Sequence, residues 1–323
     1  MPEHVSGSAP DPGSAPEPEP GRCAAASLAR AEPLVGTASS ARALLAVEHD
    51  GPWGVDAFRH ARMRPGQERW RDRVREACAA ARVRPLMIRR PAGGTAARSG
   101  GVRVYAAFAD AHAPWMETAV LDGWEEVAAL DVAALGAGRS PGLTRTDELL
   151  ALVCTHGRHD VCCAERGRPV ARALARSHPE PTWEVSHVGG DRYAANLVLL
   201  PAGLYHGRVD PTSAARVVDR AAEGLLTREV LRGRSGLRTG VQVAELALRD
   251  HLAEDRIDAL RVLRWYPDDT GPGGTAHLTL REGPAPTYVV RVVPRRGPAA
   301  RLTCSATTEG APWVWSSEVS RVD

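Results

Sequence analysis

Two short stretches hold the residues best suited to chemistry. The first, Cys154-Thr-His-Gly-Arg-His-Asp-Val-Cys162-Cys163, has one cysteine at the end of an apolar run that includes Leu149, Ala151 and Val153. Its closing cysteine pair opens a pattern in which Val170, Leu174 and Ala175 recur at helical spacing. A strand-to-helix loop of this kind can wrap a metal cluster, and a helix N-terminus with Arg158 beside it favours thiolates, the form in which sulfur binds iron. The second stretch, Ser186-His187-Val188-Gly189-Gly190-Asp191-Arg192, follows the strand-like Trp183–Val185. Gly189 and Gly190 permit positive φ and a close backbone approach to a bulky ligand, so they join Arg158 as candidate cofactor contacts.

Both loops need a scaffold. Around them the pattern reads strand (149–153), helix (from Cys163), strand (183–185), strand (Leu197–Leu200), a turn with Leu204–Val209, and a helix from Pro211 to Glu223 with Asp210 as N-cap. That β-α-β-β-α order is the order of a thioredoxin-like domain. In such a fold the two strand-end loops lie side by side, bringing Cys154 and Cys163 near His187 and, four residues on, Asp191.

The expected fold class is α/β, with four segments. Residues 1–28, rich in Pro, Ser and acidic residues, read as a disordered tail. Residues 29–142 read as a mixed α/β domain, with strands at Ala43–Val47, Leu86–Ile88 and Val102–Phe108 and a helix at Gln67–Ala81. Gly pairs at 93–94 and 100–101 bracket an exposed hairpin or loop, and Gly136–Gly142 is the expected linker. Residues 143–253 form the thioredoxin-like domain, closing with a helix over Val241–Leu252. Residues 254–323 form a small antiparallel β region, with strands at Ala259–Trp265, His277–Leu280, Tyr288–Val293 and Leu302–Ser305.

Composition narrows the function classes. All 41 basic residues are arginine, and 39 acidic residues leave a formal charge of +2, which argues against a nucleic-acid surface. No run of about 18 apolar residues is present, and the first residues are acidic rather than leader-like, so a cytoplasmic protein without membrane contact is expected. Six cysteines in a chain of 323 residues, three of them within ten positions, suit a metal or redox site better than a disulfide framework. The plainer alternative is three small buried side chains at Cys154, Cys162 and Cys163, with a hydrogen-bonded His187.

The segments CTHGRHDVCCAERGRPVARAL, WEVSHVGGDRYAANLVLLPAGLYHGRV and, less specifically, EPLVGTASSARALLAVEHDGPWG resemble the sucrase/ferredoxin-like family. The resemblance implies a thioredoxin-like ferredoxin part that binds one 2Fe-2S cluster and transfers electrons between redox donor and acceptor proteins whose identity the residues do not reveal. Better studied members use two cysteines separated by eight residues and two histidines separated by three. Cys154, Cys163 and His187 match, whereas Asp191 replaces the second histidine. The fourth ligand is then Asp191 or Cys162, with Cys304 and His156 behind them; a carboxylate is the harder and less usual choice for iron. One neutral imidazole in place of a thiolate favours the reduced state, and an anionic Asp191 opposes that shift.

Two other classes compete. A thiol-disulfide enzyme would need a CxxC pair, and the adjacent Cys162 and Cys163 have Cα atoms about 3.8 Å apart where unstrained bridges prefer about 4.4 to 6.8 Å. A structural zinc site is compatible with two thiolates and a histidine. Glycoside hydrolysis needs paired carboxylates across a sugar, and no motif suggests it.

Overall fold

The structure, a computed structural model, describes residues 21–92, 100–282 and 286–322. The elements run α1 (Cys23–Ala29), β1 (Ala43–Glu48), α2 (Ala57–His60), α3 (Glu68–Ala81), β2 (Val83–Arg89), β3 (Val102–Phe108), β4 (Trp115–Leu121), α4 (Trp124–Ala129), α5 (Val132–Gly136), β5 (Thr144–Thr146) and β6 (Leu150–Cys154). They continue α6 (Val161–Ser177), β7 (Thr182–Val185), β8 (Leu197–Leu200), β9 (Leu204–His206), α7 (Ala214–Ala222), β10 (Leu231–Arg234), α8 (Thr239–Leu252), β11 (Leu260–Pro267), β12 (Gly274–Leu280), β13 (Thr287–Arg296) and β14 (Trp313–Val322).

This is a mixed α/β protein with one large and one small sheet. Ten strands form the large sheet in the order β10-β9-β8-β6-β7-β2-β1-β3-β4-β5, and β11 to β14 form a separate antiparallel sheet. At the centre, β6 runs parallel to β7 with Cys154 opposite Val185. Parallel neighbours need a crossover, which α6 supplies. The result is that Cys154 and the chain leaving Val185 emerge at the same sheet edge.

The expected division at residue 142 falls within this sheet. Ile88 and Arg89 of β2 pair with Val185 and Glu184 of β7, so both halves share one hydrogen-bonded sheet. One face also carries a common core in which Leu44, Leu86 and Ile88 pack with Leu152, Trp183 and Val185. The expected linker is likewise tied down, since Ser140 Oγ and Leu143 N donate to the buried Glu117 carboxylate. The Gly pair at 93–94 and residues 1–20 of the expected tail lie outside the described residues. Residues 23–28 of that tail are helical instead, because the apolar positions Cys23, Ala24 and Ala25 bury one side of α1.

In the C-terminal region the short run at Leu302–Ser305 forms turns rather than a strand, and the fourth strand is β14, whose ten residues pair along the length of β13. Length decides here, because β14 offers a full ladder. Helix α8 is buried between the sheets: Leu246 packs with the core of the large sheet, while Val243, Ala244 and Leu248 pack with Ala276, Val290 and Val292 of the small one. No described helix is long and apolar enough to cross a membrane.

A buried ion triad fixes α8. Glu245 Oε1 lies 3.1 Å from Arg234 Nη1 and 3.0 Å from Arg249 Nη2. Burial works against the Glu245 carboxylate, but the two guanidinium groups hold its pKa below the ordinary value. Glu245→Gln is expected to destabilise the fold by about 3 to 5 kcal/mol, read from urea unfolding, because it strands two buried cations.

Buried His206 in β9 gives a pH signature. Burial pushes its pKa from 6.5 down to about 4, so the imidazole is neutral in the native state. The unfolded chain takes up its proton first, so this contribution is intact above pH 6.5 and shrinks as the pH falls towards 4. The loss attributable to His206 should reach about 3 kcal/mol. Denaturant titrations across that window should show this acid limb flattened in His206→Gln.

Candidate metal centre

The βαβ unit places the first cysteine pair. Cys154 ends β6, and Asp160 caps α6 by accepting a hydrogen bond from the Cys162 N–H at 2.9 Å. Gly167 of α6 passes directly over the Cys154 carbonyl, where any Cβ would collide with that oxygen. The glycine thereby lets the helix settle onto the strand end and keeps Cys163 above Cys154.

The second loop leaves β7 through Ser186, whose backbone N–H donates to Met87 O while its Oγ accepts from Met87 N. Gly189 and Gly190 follow with φ of 90° and 80°, as expected for a loop folding back on itself. Under them lies Arg232, fully buried on β10. Its guanidinium donates to Gly189 O at 2.9 Å, Asn196 Oδ1 at 2.7 Å, Thr37 Oγ1 at 3.1 Å and Thr37 O at 2.5 Å. Asn196 Nδ2 in turn donates to Gly190 O at 2.9 Å. Burial lowers the Arg232 pKa to about 10, so the group remains a cation at neutral pH.

Three ligand atoms from Cys154, Cys163 and His187 lie within 4.8 Å of one another. The Cys163 thiol donates to Asp191 Oδ1 at 3.2 Å, and His187 Nδ1 lies 2.9 Å from the same oxygen. This close contact pairs the His187 imidazole with the Asp191 carboxylate. Two sulfurs and an imidazole are a fitting donor set for a thiophilic metal centre, and Asp191 groups with His187 and His159 beside them.

The electrostatics of the pair favour one thiolate. The Cys163 thiol beside Cys154, with His187 nearby, lowers the Cys154 pKa to about 7 in spite of its burial, while Cys163 is pushed far up as the proton donor of the pair. Burial opposes ionisation of Asp191, but His187, Cys163 and His159 around it hold its carboxyl below the usual range.

The other sequence candidates fall elsewhere. Cys162 and Cys304 lie together in a different group with Cys23 and Asp160, away from Cys154. His156 uses both ring nitrogens: Nε2 pairs with Gly54 O at 2.8 Å and Nδ1 accepts the His187 N–H at 3.1 Å. Burial lowers its pKa to about 4, so it serves as a neutral brace for the His187 backbone. Arg158 is exposed, because the turn before α6 directs it outward; the Cys163 thiol, not Arg158, is what favours the Cys154 thiolate.

Sequence reasoning missed two features. His159, whose Nδ1 pairs with Val55 O at 3.1 Å, also stacks on His187 with ring centroids 3.6 Å apart and reaches within 3.9 Å of Asp191 Oδ2, a place beside the site that the sequence did not single out. The available signal was its place in the same loop as Cys154. Arg232 and Asn196 carried no local signal, since their partners are backbone groups of the distant glycine loop. Beside the histidines a cleft of about 350 Å³ opens, lined also by Arg59, Arg75 and Arg84.

The fold is that of a mixed α/β protein in which Cys154, Cys163 and His187 are grouped so that they could hold a metal. The chain belongs to the sucrase/ferredoxin-like family, whose profile matches residues 35–233. Among curated proteins it is similar to altered inheritance of mitochondria protein 32 of Meyerozyma guilliermondii, 35% identical over 100 residues that cover 27% of this chain and 35% of that protein. The protein of the same name from Debaryomyces hansenii is 30% identical over 95 residues, covering 26% of this chain and 35% of the relative. The chain thus spans about a third of the length of these relatives. No solved structure matches it.

Arg232→Met leaves the Gly189, Thr37 and Asn196 acceptors without their cation. It is expected to cost about 3 kcal/mol in denaturant unfolding and to speed amide exchange at residues 187–191.

Proposed function

We propose that this protein is an electron carrier that binds one 2Fe-2S cluster through Cys154, Cys163, His187 and Asp191. In this reading residues 143–253 are a thioredoxin-like ferredoxin part, working in the cytoplasm with donor and acceptor proteins. The observation that carries the reading is the approach of ligand atoms from Cys154, Cys163 and His187 to within 4.8 Å of one another, in a chain of the sucrase/ferredoxin-like family. The place of Asp191 Oδ1 close to both Cys163 and His187 supports it as the fourth ligand over Cys162, Cys304 and His156.

When bound, such a cluster supplies a site that takes up and releases one electron. The chain's own residues set its environment. Cys154 and Cys163 anchor the buried side, and the glycine loop held by Arg232 presents His187 from the other side. The stacked rings of His187 and His159 form the partly exposed rim, facing the arginine-lined cleft where a redox partner can approach. The fungal relatives' name concerns inheritance of mitochondria and covers too little of either chain to redirect this reading.

Anaerobic purification followed by iron, sulfide and absorption analysis tests the proposal. Two irons and two acid-labile sulfides per chain are expected, lost in Cys154→Ser and Cys163→Ser. The spectrum should change in His187→Ala and Asp191→Ala but persist in His159→Ala. With one imidazole and one carboxylate, the reduction potential should fall between about −400 mV, the plant-type value, and about −150 mV, the lower Rieske limit. Protein without inorganic sulfide after reconstitution would sink the reading.

A further inference from the structure

On the opposite side of the first turn of α6 from the Cys154 group lies a second cluster of sulfur. Cys23 at the start of α1, Cys162 in α6 and Cys304 in the turn before β14 come from the two ends and the middle of the chain. Their sulfurs form a triangle with sides of 3.7 Å (Cys23 to Cys162), 3.3 Å (Cys162 to Cys304) and 3.5 Å (Cys304 to Cys23). Asp160 completes the group: its carboxylate oxygens lie 3.8 and 3.7 Å from Cys23 Sγ. They also accept from Cys162 N at 2.9 Å and Cys304 N at 2.7 Å. One ligand atom from each of the four residues lies within 4.8 Å of the others.

We propose that Cys23, Cys162, Cys304 and Asp160 form a second metal site, which binds a single zinc ion and is independent of the Cys154 centre. Sulfurs each about 2.3 Å from a tetrahedral zinc sit about 3.8 Å apart, so the observed triangle is nearly zinc-sized before any ion enters. Three soft donors and one carboxylate select zinc over magnesium or calcium, which want oxygen shells. The two backbone N–H bonds orient Asp160 as an outer partner would orient a ligand.

Charge gives a reason for a cation. The three sulfurs and the Asp160 carboxylate, packed within 4.8 Å of one another, form a donor group whose negative charge a cation offsets. Zinc displaces the thiol protons, and its double positive charge offsets half of the negative charge of three thiolates and a carboxylate. The gain is mechanical: one ion ties α1, the first turn of α6 and the loop before β14 across 281 residues of sequence separation, and metal binding free energy becomes folding free energy. Because Cys162 adjoins Cys163, the clip also steadies the turn that carries a ligand of the other centre.

The full-length chain, purified anaerobically with zinc present and then dialysed, should hold one zinc per chain by mass spectrometry. Cys304→Ser, which alters the least buried of the three, should lose that zinc with unchanged circular dichroism and unchanged iron and sulfide; Cys23→Ser should lose it too. Cys154→Ser should retain it, which separates this ion from any zinc in the first centre. Cobalt added to chelator-treated protein should give the intense thiolate absorption of a tetrahedral site, absent in Cys304→Ser. Either of two results overturns the proposal: wild-type protein without zinc, whether its cysteines are free or joined as a Cys162–Cys304 disulfide, or iron rather than zinc lost on Cys304→Ser. Since zinc is assayed apart from iron and sulfide, failure of the electron-carrier reading leaves this outcome legible.

Discussion

Parallel pairing of β6 with β7 is the constraint on which the candidate centre depends. Because Cys154 and Val185 stand opposite one another in register, the loops that follow them leave the same sheet edge, and α6 must return the chain above it. A one-residue slip would invert the faces of β6 and carry Cys154 away from Cys163 and His187. The register is held on both sides: β8 pairs with β6 from Leu150 to Val153, and β2 pairs with the end of β7. Contacts far from the chemistry thereby set the positions of its donors.

Charge inside the protein is handled in two ways. Around α8, opposite charges meet directly in the Glu245, Arg234 and Arg249 triad, which joins the large sheet to the helix that supports the small one. Beneath the candidate centre, Arg232 meets backbone and amide oxygens instead. A buried guanidinium satisfied by neutral acceptors fixes the glycine turn that carries His187.

Much of the local structure was legible in the sequence. The strand Val102–Phe108 and the strand Leu197–Leu200 coincide with their expected bounds, and α3 and α8 differ from expectation by one or two residues. Their apolar residues recur at the period of the element. β14 was missed because Trp313–Val322 is mostly exposed and half polar, and α1 because its short apolar run follows a tail of disordered composition. The expected boundary at residue 142 falls inside one continuous sheet, where Gly136–Gly142 has linker composition but Glu117 anchors its end.

At the candidate site, sequence by itself determined the donor types, the spacing of Cys154 and Cys163, the family, and the glycine pair that lets the His187 loop turn. Those properties reside in residues close together along the chain. Only the tertiary structure decided that Cys162 faces away from Cys163 towards Cys23 and Cys304, that His156 is a brace and His159 a neighbour of His187, and that Arg232 underlies the loop. Adjacent side chains on a helix diverge by about 100°, so a pair of cysteines that looks like one feature in sequence serves two places in space.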